Sequence, residues 1–170
     1  MDFYLNSGVS GMTILGIMGE AQKLTAAESL TFANHIISRV GGRIPIVVGV
    51  SGASLDNMSR FSQSVMDAGA SGVMVAPMPG LCTETKLDQY YKQVCQALGP
   101  EVPICLQDYP QTTGVQFSVE TIIKLTTENE QIVMLKHEDW PGLTKLSRVR
   151  SETDTNSIPR MSILVGNAAL

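Results

Sequence analysis

Lys136 is the residue whose type and position point most directly to chemistry. It follows an apolar run, residues 132 to 135, that is typical of a buried strand, and His137, Glu138 and Asp139 come directly after it. A lysine at the partly dry end of a core strand loses hydration, which favours the free amine, and a free amine attacks a ketone carbon to form a Schiff base. On position alone, Lys136 could equally pair with Glu138 or Asp139 and merely end the strand.

The other five lysines lack this setting. They fall on predicted helices or in loops, where a solvated lysine costs nothing: Lys23, Lys86, Lys92, Lys124 and Lys145. Strand alternation places Glu138 on the same side as Lys136, where a carboxylate could hold or deprotonate a substrate, and points His137 toward the helices.

Short apolar runs rich in Val and Ile recur along the chain, and each is too short for a core helix. Near-continuous apolarity is typical of strands covered on both faces, as in parallel sheets. The predicted strands are residues 11 to 16, 44 to 50, 71 to 78, 102 to 107, 132 to 136 and 162 to 166.

Amphipathic stretches with helix-start signals separate these strands. The clearest starts at Thr25, which forms a capping box with Glu28, and ends before Gly41. The other predicted starts are Ser54, Thr85, Ser118 and Pro141.

Strands and helices that alternate about every thirty residues indicate βα units, in either a (β/α)8 barrel or an open doubly wound sheet. A complete barrel takes roughly 250 residues and rarely fewer than about 200, and this chain has 170. We therefore predict an incomplete (β/α)8 TIM barrel, about strands 2 to 7, as a single partial domain over residues 1–170. Chemistry then belongs at the carboxyl ends of the strands.

Composition excludes several classes of function. The net charge of −4 and the scattered arginines offer no basic patch for nucleic acid. No apolar run approaches the roughly 20 residues that cross a bilayer, and the first residues lack signal-peptide order, so we expect a cytosolic protein. Neither C-x-x-C nor a Cys/His cluster with zinc spacing occurs, so we expect no metal and three free thiols: Cys82, Cys95 and Cys105.

Several motifs resemble those of the dihydrodipicolinate synthase and N-acetylneuraminate lyase family of class I aldolases and dehydratases. They are G-x-x-G-E followed by L-T-x-x-E, the block AGASGVMVAP, and the strand IVMLK with acids behind it. The resemblance covers nearly the whole chain. It implies that the chain begins near the second strand of the barrel and ends after the seventh. It also implies that Lys136 is the Schiff-base lysine for a 2-oxo acid, that no cofactor is needed, and that the protein is a homo-oligomer, either a dimer or a tetramer.

The loop after the first predicted strand departs from the family's G-T-T-G-E. It reads Gly16, Ile17, Met18, Gly19 and Glu20, so both hydroxyls are absent. Its backbone donors could still bind the substrate carboxylate, but it has no side chain for a proton relay. We expect Ile17 and Met18 to pack in the barrel mouth. Glu20 could orient its own loop or assist an acid/base step.

A second departure concerns the relay tyrosine. Aligned on Pro110, Gln107 occupies the tyrosine's place and can hold an oxygen without exchanging a proton, while Tyr109 could supply a phenol nearby. Thr112 replaces the arginine of the synthases, which disfavours a dicarboxylic substrate and suits a hydroxylated one. We include Gly166, at the end of the last predicted strand, among the substrate-contacting residues.

Three hypotheses follow. The first is a Schiff-base lyase acting through Lys136 on pyruvate or a 2-keto-3-deoxy sugar acid, with Gln107 and Tyr109 assisting. The second is a catalytically silent relative that binds a keto acid or sugar acid, or serves as a non-catalytic subunit. The third is an incomplete fragment that does not unfold cooperatively.

Overall fold

Strands and helices alternate in the computed structural model, which describes residues 1–155 and 160–166. The strands are β1 (Met12–Ile14), β2 (Ile46–Gly49), β3 (Gly72–Val75), β4 (Ile104–Asp108), β5 (Ile132–His137) and β6 (Ser162–Val165). The helices are α1 (Asp2–Asn6), α2 (Ala26–Val40), α3 (Leu55–Asp67), α4 (Glu84–Leu98), α5 (Pro110–Thr113), α6 (Val119–Glu128) and α7 (Leu143–Thr155).

The six strands form a parallel sheet in chain order, β1 to β6. This is the order of successive strands in a (β/α)8 barrel, so the predicted incomplete barrel is confirmed. The inner strands β3 and β4 are buried throughout, whereas β1 and β6, at the two ends of the order, are half-buried or exposed.

Helix starts follow the capping signals, with two corrections: α4 starts earlier than predicted, and α7 begins at Leu143, two residues after Pro141. Thr25 and Glu28 form the predicted capping box, and Ser54 and Ser118 cap α3 and α6. Thr83, not Thr85, caps α4, because its hydroxyl accepts the amide proton of Lys86. The prediction failed here because either threonine of T-E-T could cap the helix, and the backbone becomes helical at the residue after the first one.

The chain forms two compact units, Met1–Met74 and the part from Val75 onward. In the first unit, α2 contacts α3, and Ala33, Ile36 and Val40 lie in its core. Position 49, the last of β2, requires glycine because a Cβ there would lie 2.0 Å from the carbonyl oxygen of Leu15, too close for any side chain.

In the second unit, β4 and β5 pair in parallel, and α6 contacts α4, α7 and β5. Leu106 of β4 and Leu135 of β5 are paired and fully buried. Ile122 and Leu125 are the buried residues of α6 with no measurable exposure. The same register pairs Gln107 with Lys136, so two predicted site residues lie side by side.

The three cysteines are unpaired with one another. Cys82 is exposed, whereas burial raises the pKa of the Cys95 thiol to about 11 and that of the Cys105 thiol to about 12. Across the described residues, no helix combines the length and apolarity that spanning a membrane requires.

Candidate active site

Lys136 ends a core strand, as predicted, and its amine is almost dry. The residue is 7% exposed, and its Nζ donates a hydrogen bond to Oε1 of Glu138 at 2.8 Å. Glu138 is 2% exposed. The strand places residues 136 and 138 on one face, because side chains two apart on an extended backbone point the same way. A buried amine and a buried carboxylate therefore face each other.

Gln107 supplies the second partner of this carboxylate. Its Nε2 donates to Oε2 of Glu138 at 2.7 Å, and the residue is 1% exposed. Each oxygen of Glu138 thus accepts one hydrogen bond from a buried donor, the arrangement expected of a buried polar group. A glutamine here holds the carboxylate in a fixed orientation but cannot exchange a proton.

Gly166 lies against the same carboxylate. Its amide donates to the carbonyl oxygen of His137 at 2.9 Å, which keeps the residue after β6 close to the end of β5. A Cβ at position 166 would lie 2.6 Å from Cγ and 2.8 Å from Oε1 of Glu138. Only glycine leaves Glu138 its present position. The predicted contact of Gly166 with substrate stays a prediction.

The opposite face of β5 carries a second set of buried charges, which we call the Asp108 cluster: Asp108, His137, Asp139 and Lys145. Oδ2 of Asp108 lies 3.0 Å from Nδ1 of His137 and 2.7 Å from Nζ of Lys145. Lys145 also contacts Oδ2 of Asp139 at 3.1 Å. His137 thus points away from Lys136, as strand alternation predicts.

Sequence reasoning placed Lys145 among the solvated lysines, and that was wrong. Its side chain retains 12% of its exposure and bridges two carboxylates. Asp108 was given no role in the sequence analysis. The available signal was an acid at the end of one core strand and a His two residues before an acid at the end of the next, since neighbouring strand ends meet in a parallel sheet.

Tyr109 and Thr112 lie just beyond β4. Tyr109 is half-buried at the start of α5, where its carbonyl oxygen accepts the amide protons of Thr112 and Thr113, and Thr112 itself is exposed. Pro110 begins this short helix and so turns the chain away from the strand direction. The predicted roles of Tyr109 and Thr112 stay predictions.

The loop from Gly16 to Glu20 belongs to the first unit. It forms a 3₁₀ turn in which Gly19 and Glu20 donate their amides to the carbonyls of Gly16 and Ile17. Met18 is 71% exposed, so its predicted packing is wrong, because the turn directs it to the surface; Ile17 is half-buried. Glu20 adopts a left-handed backbone conformation and pairs with Lys23, which favours the loop-orienting interpretation.

A groove of about 630 Å³ between α7 and β6 contains none of the predicted site residues. Over residues 1–155 and 160–166, no three His, Cys, Asp or Glu side chains are grouped so that they could hold a metal ion. Residues 167 to 169, which follow Gly166 in the loop after the last predicted strand, lie outside the described residues.

Comparison with known proteins assigns this chain to a protein family. Residues 1–166 match the dihydrodipicolinate synthetase family. The chain belongs to this family. It is 32% identical over 136 residues to a probable 2-dehydro-3-deoxy-D-pentonate aldolase, YjhH, of Escherichia coli K12, covering 79% of this chain and 44% of that protein. A 4-hydroxy-tetrahydrodipicolinate synthase of Methanococcus maripaludis is 29% identical over 171 residues, covering 100% of this chain and 56% of the synthase.

Solved structures of the family show the same fold. Dihydrodipicolinate synthase from Rhodopseudomonas palustris superposes with a TM-score of 0.92 at 43% identity, covering 96% of this chain and 54% of that one. YagE of E. coli K12, solved in complex with pyruvate, has a TM-score of 0.83 at 24% identity, covering 95% of this chain and 54% of YagE, and supports the fold alone. The chain spans about half the length of these relatives.

Proposed function

We propose that this family member is a Schiff-base lyase in which Lys136 condenses with the ketone of a 2-oxo acid. The observation that carries the proposal is the nearly dry amine of Lys136, held 2.8 Å from the buried carboxylate of Glu138. A Schiff-base lysine must be neutral when it attacks, and it needs a group nearby to take up the proton that it loses. The paired carboxylate meets that need without solvent.

Glu138 is the proposed proton carrier. Moving one proton from the Lys136 ammonium to the Glu138 carboxylate leaves a neutral amine and a neutral acid, so the net charge of the dry site does not change. The amine then adds to C2 of the substrate, and the resulting carbinolamine loses its hydroxyl as water to form the iminium. Glu138 can return its proton to that departing hydroxyl.

The iminium then accepts an electron pair from the substrate. In dehydration, the carboxylate of Glu138 removes a proton from C3, the enamine forms, and the C4 hydroxyl leaves as water after protonation. In retro-aldol cleavage, the carboxylate of Glu138 takes the proton of the C4 hydroxyl as the C3–C4 bond breaks, which releases an aldehyde and leaves the enamine. Glu138 then returns that proton to C3 of the enamine, and water hydrolyses the iminium to free pyruvate and the Lys136 amine. Gln107 takes part in either course by orienting the carboxylate, and Tyr109 is the proposed phenol nearby.

We propose a 2-keto-3-deoxy sugar acid or pyruvate itself as the substrate class. The neutral, exposed Thr112 in place of a cation suits hydroxyl groups better than a second carboxylate. The similarity to a probable 2-dehydro-3-deoxy-D-pentonate aldolase supports the same class. The Gly16–Glu20 loop stays the predicted carboxylate-binding loop, and the amides of Gly19 and Glu20 within it serve its 3₁₀ turn.

Borohydride trapping tests the reaction class. The protein is incubated with pyruvate or a 2-keto-3-deoxy pentonate, reduced, digested and mapped by mass spectrometry, with Lys136→Arg as the negative control. An adduct on the peptide that carries Lys136 supports the proposal. Turnover without reductant separates the two courses: dehydration gives one product lighter by one water, and cleavage gives pyruvate and an aldehyde.

A catalytically silent sugar-acid binder is the second candidate. The absent hydroxyls of the Gly16–Glu20 loop and the missing relay tyrosine favour it. Isothermal titration with the same keto acids, set beside the borohydride trapping, separates the candidates. A silent relative binds a keto acid in the titration but forms no reducible adduct in the trapping.

Self-association as a dimer or tetramer is a further proposal that rests on the family resemblance, and a cytosolic location and a single partial barrel domain are proposals that rest on the sequence. Light scattering coupled to size-exclusion chromatography measures the first of these. A mass of one chain at micromolar concentration would contradict it.

A further inference from the structure

The Asp108 cluster lies directly behind the proposed reactive pair and is not used by the chemistry above. Asp108 has no measurable exposure, His137 is 1% exposed, and the Lys145 side chain is 12% exposed. Buried charges of this kind are costly unless each finds a partner. Two members, His137 and Asp139, are chain neighbours of Lys136 and Glu138, and the other two, Asp108 and Lys145, bond to these neighbours.

Asp108 bonds the last residue of β5, His137, and the residue after it, Glu138. Its carbonyl oxygen accepts a hydrogen bond from the amide of Glu138 at 2.8 Å, and Oδ2 of its carboxylate is hydrogen-bonded to Nδ1 of His137 at 3.0 Å. Because a carboxylate only accepts hydrogen bonds, Nδ1 of His137 carries the proton in this contact. The end of β4 thus holds the strand on both sides of the peptide that joins residues 137 and 138.

Gly142 closes the other side of the imidazole. A Cβ at position 142 would lie 2.4 Å from Nε2 of His137, so the ring rests against backbone. The ring therefore has little space to move toward α7 and away from Asp108.

Lys145 connects α7 to this arrangement. Its ammonium contacts Asp108 at 2.7 Å and Asp139 at 3.1 Å, so a single cation links the end of β4 to the residue after Glu138. Without this cation, two neighbouring buried or half-buried carboxylates would repel each other at the two anchors of the segment 137 to 139.

We infer that the Asp108 cluster positions the catalytic pair: Lys145, acting through Asp108 and His137, holds the end of β5 so that Lys136 and Glu138 stay within hydrogen-bond distance. Lys145, Asp108 and His137 are positioning residues in this scheme and do not touch substrate. The inference rests on the proposed function for its catalytic consequence, but the positioning can be measured without it.

The test compares Lys145→Met with Lys145→Arg and with a matched control, Lys124→Met. Lys124 also loses two ion pairs on substitution, to Asp88 and Glu128, but it lies half-exposed on α6 away from the cluster. For each folded variant, two quantities are measured: the rate of borohydride trapping at Lys136 and the amide hydrogen exchange of residues 136–139.

We expect Lys145→Met to slow trapping at least tenfold and to speed exchange at residues 136–139, while Lys145→Arg restores both to within about threefold and Lys124→Met changes neither. A Lys145→Met protein that folds, traps at the wild-type rate and exchanges normally would overturn the inference. If Lys145→Met does not fold, the same two measurements are made on Lys145→Arg and on Gly142→Ala, which displaces His137 and keeps every charge. Slower trapping and faster exchange at residues 136–139 in Gly142→Ala than in Lys145→Arg support the inference, and equal values overturn it.

The two readouts separate this inference from the proposed function. If no protein, including the wild type, is trapped, the Schiff-base proposal fails. Hydrogen exchange then decides the positioning alone: faster exchange confined to residues 136–139 in Lys145→Met supports it, and unchanged exchange refutes it.

Discussion

Replacing Glu138 by glutamine should disable the proposed site and also destabilise the protein. Glu138 accepts from Lys136 through Oε1 and from Gln107 through Oε2. A glutamine has one accepting oxygen, so its NH₂ group must face one of these two donors. Gln107 can rotate its amide in response, but Lys136 is left without a negative partner.

The expected size of each effect follows from the burial of the pair. Removing one member of a buried ion pair costs about 3–5 kcal/mol, because the remaining charge stays desolvated. Losing a positioned acid/base group costs about 10²- to 10⁴-fold in rate. We therefore expect Glu138→Gln to lose about 3–5 kcal/mol in urea unfolding and to be trapped by borohydride with a keto acid at least 100-fold more slowly.

Glu120→Gln is the matched control. Glu120 pairs with Arg148, both side chains are more than half exposed, and a surface pair of this kind contributes about 0–1 kcal/mol. A Glu138→Gln protein that is no less stable than Glu120→Gln and is trapped at the wild-type rate would refute the assignment of Glu138 as the proton carrier.

Three further predictions concern one glycine and the cysteines. Gly166→Ala should cost about 1–3 kcal/mol and slow trapping, because the added methyl displaces Glu138, whereas Gly52→Ala, with nothing within 4 Å of the new Cβ, should do neither; equal effects of the two would contradict the steric argument. Cys82 should react with a thiol reagent in the native state at pH 8, and the two buried thiols only after unfolding. The raised pKa of the Cys105 thiol favours the folded state below pH 9, so stability should fall as pH rises from about 9 toward 12; a rise in stability over that range in urea titrations would reverse the sign.

Much of the fold could be predicted because it depends on local signals. The apolar runs gave all six strands to within a few residues, and side-chain caps such as Thr25 and Ser118 gave helix starts. These features involve residues close in sequence. The start of α4 was wrong by two residues because two threonines compete for one cap.

The reactive pair was partly predictable for the same reason. Lys136 and Glu138 are two residues apart on one strand, so alternation was enough to place them together. The contact of Gln107 with Glu138 depends on the register of β4 against β5, which the sequence does not specify. The resemblance pointed to position 107, but not to its partner.

The Asp108 cluster was missed because the contacts that Asp108 makes join residues 29 and 37 apart in sequence. A lysine on an amphipathic helix normally faces water, and nothing near Lys145 in the sequence indicates otherwise. Only the packing of α7 against the ends of β4 and β5 brings that ammonium to Asp108.

The most direct test of the central claim is the mass of the peptide that carries Lys136 after the native protein is reduced with borohydride in the presence of pyruvate. We predict a gain equal to reduced pyruvate on that peptide, absent from Lys136→Arg and absent without pyruvate. A folded protein whose Lys136 peptide keeps its unmodified mass with pyruvate and with a 2-keto-3-deoxy pentonate would contradict the Schiff-base assignment.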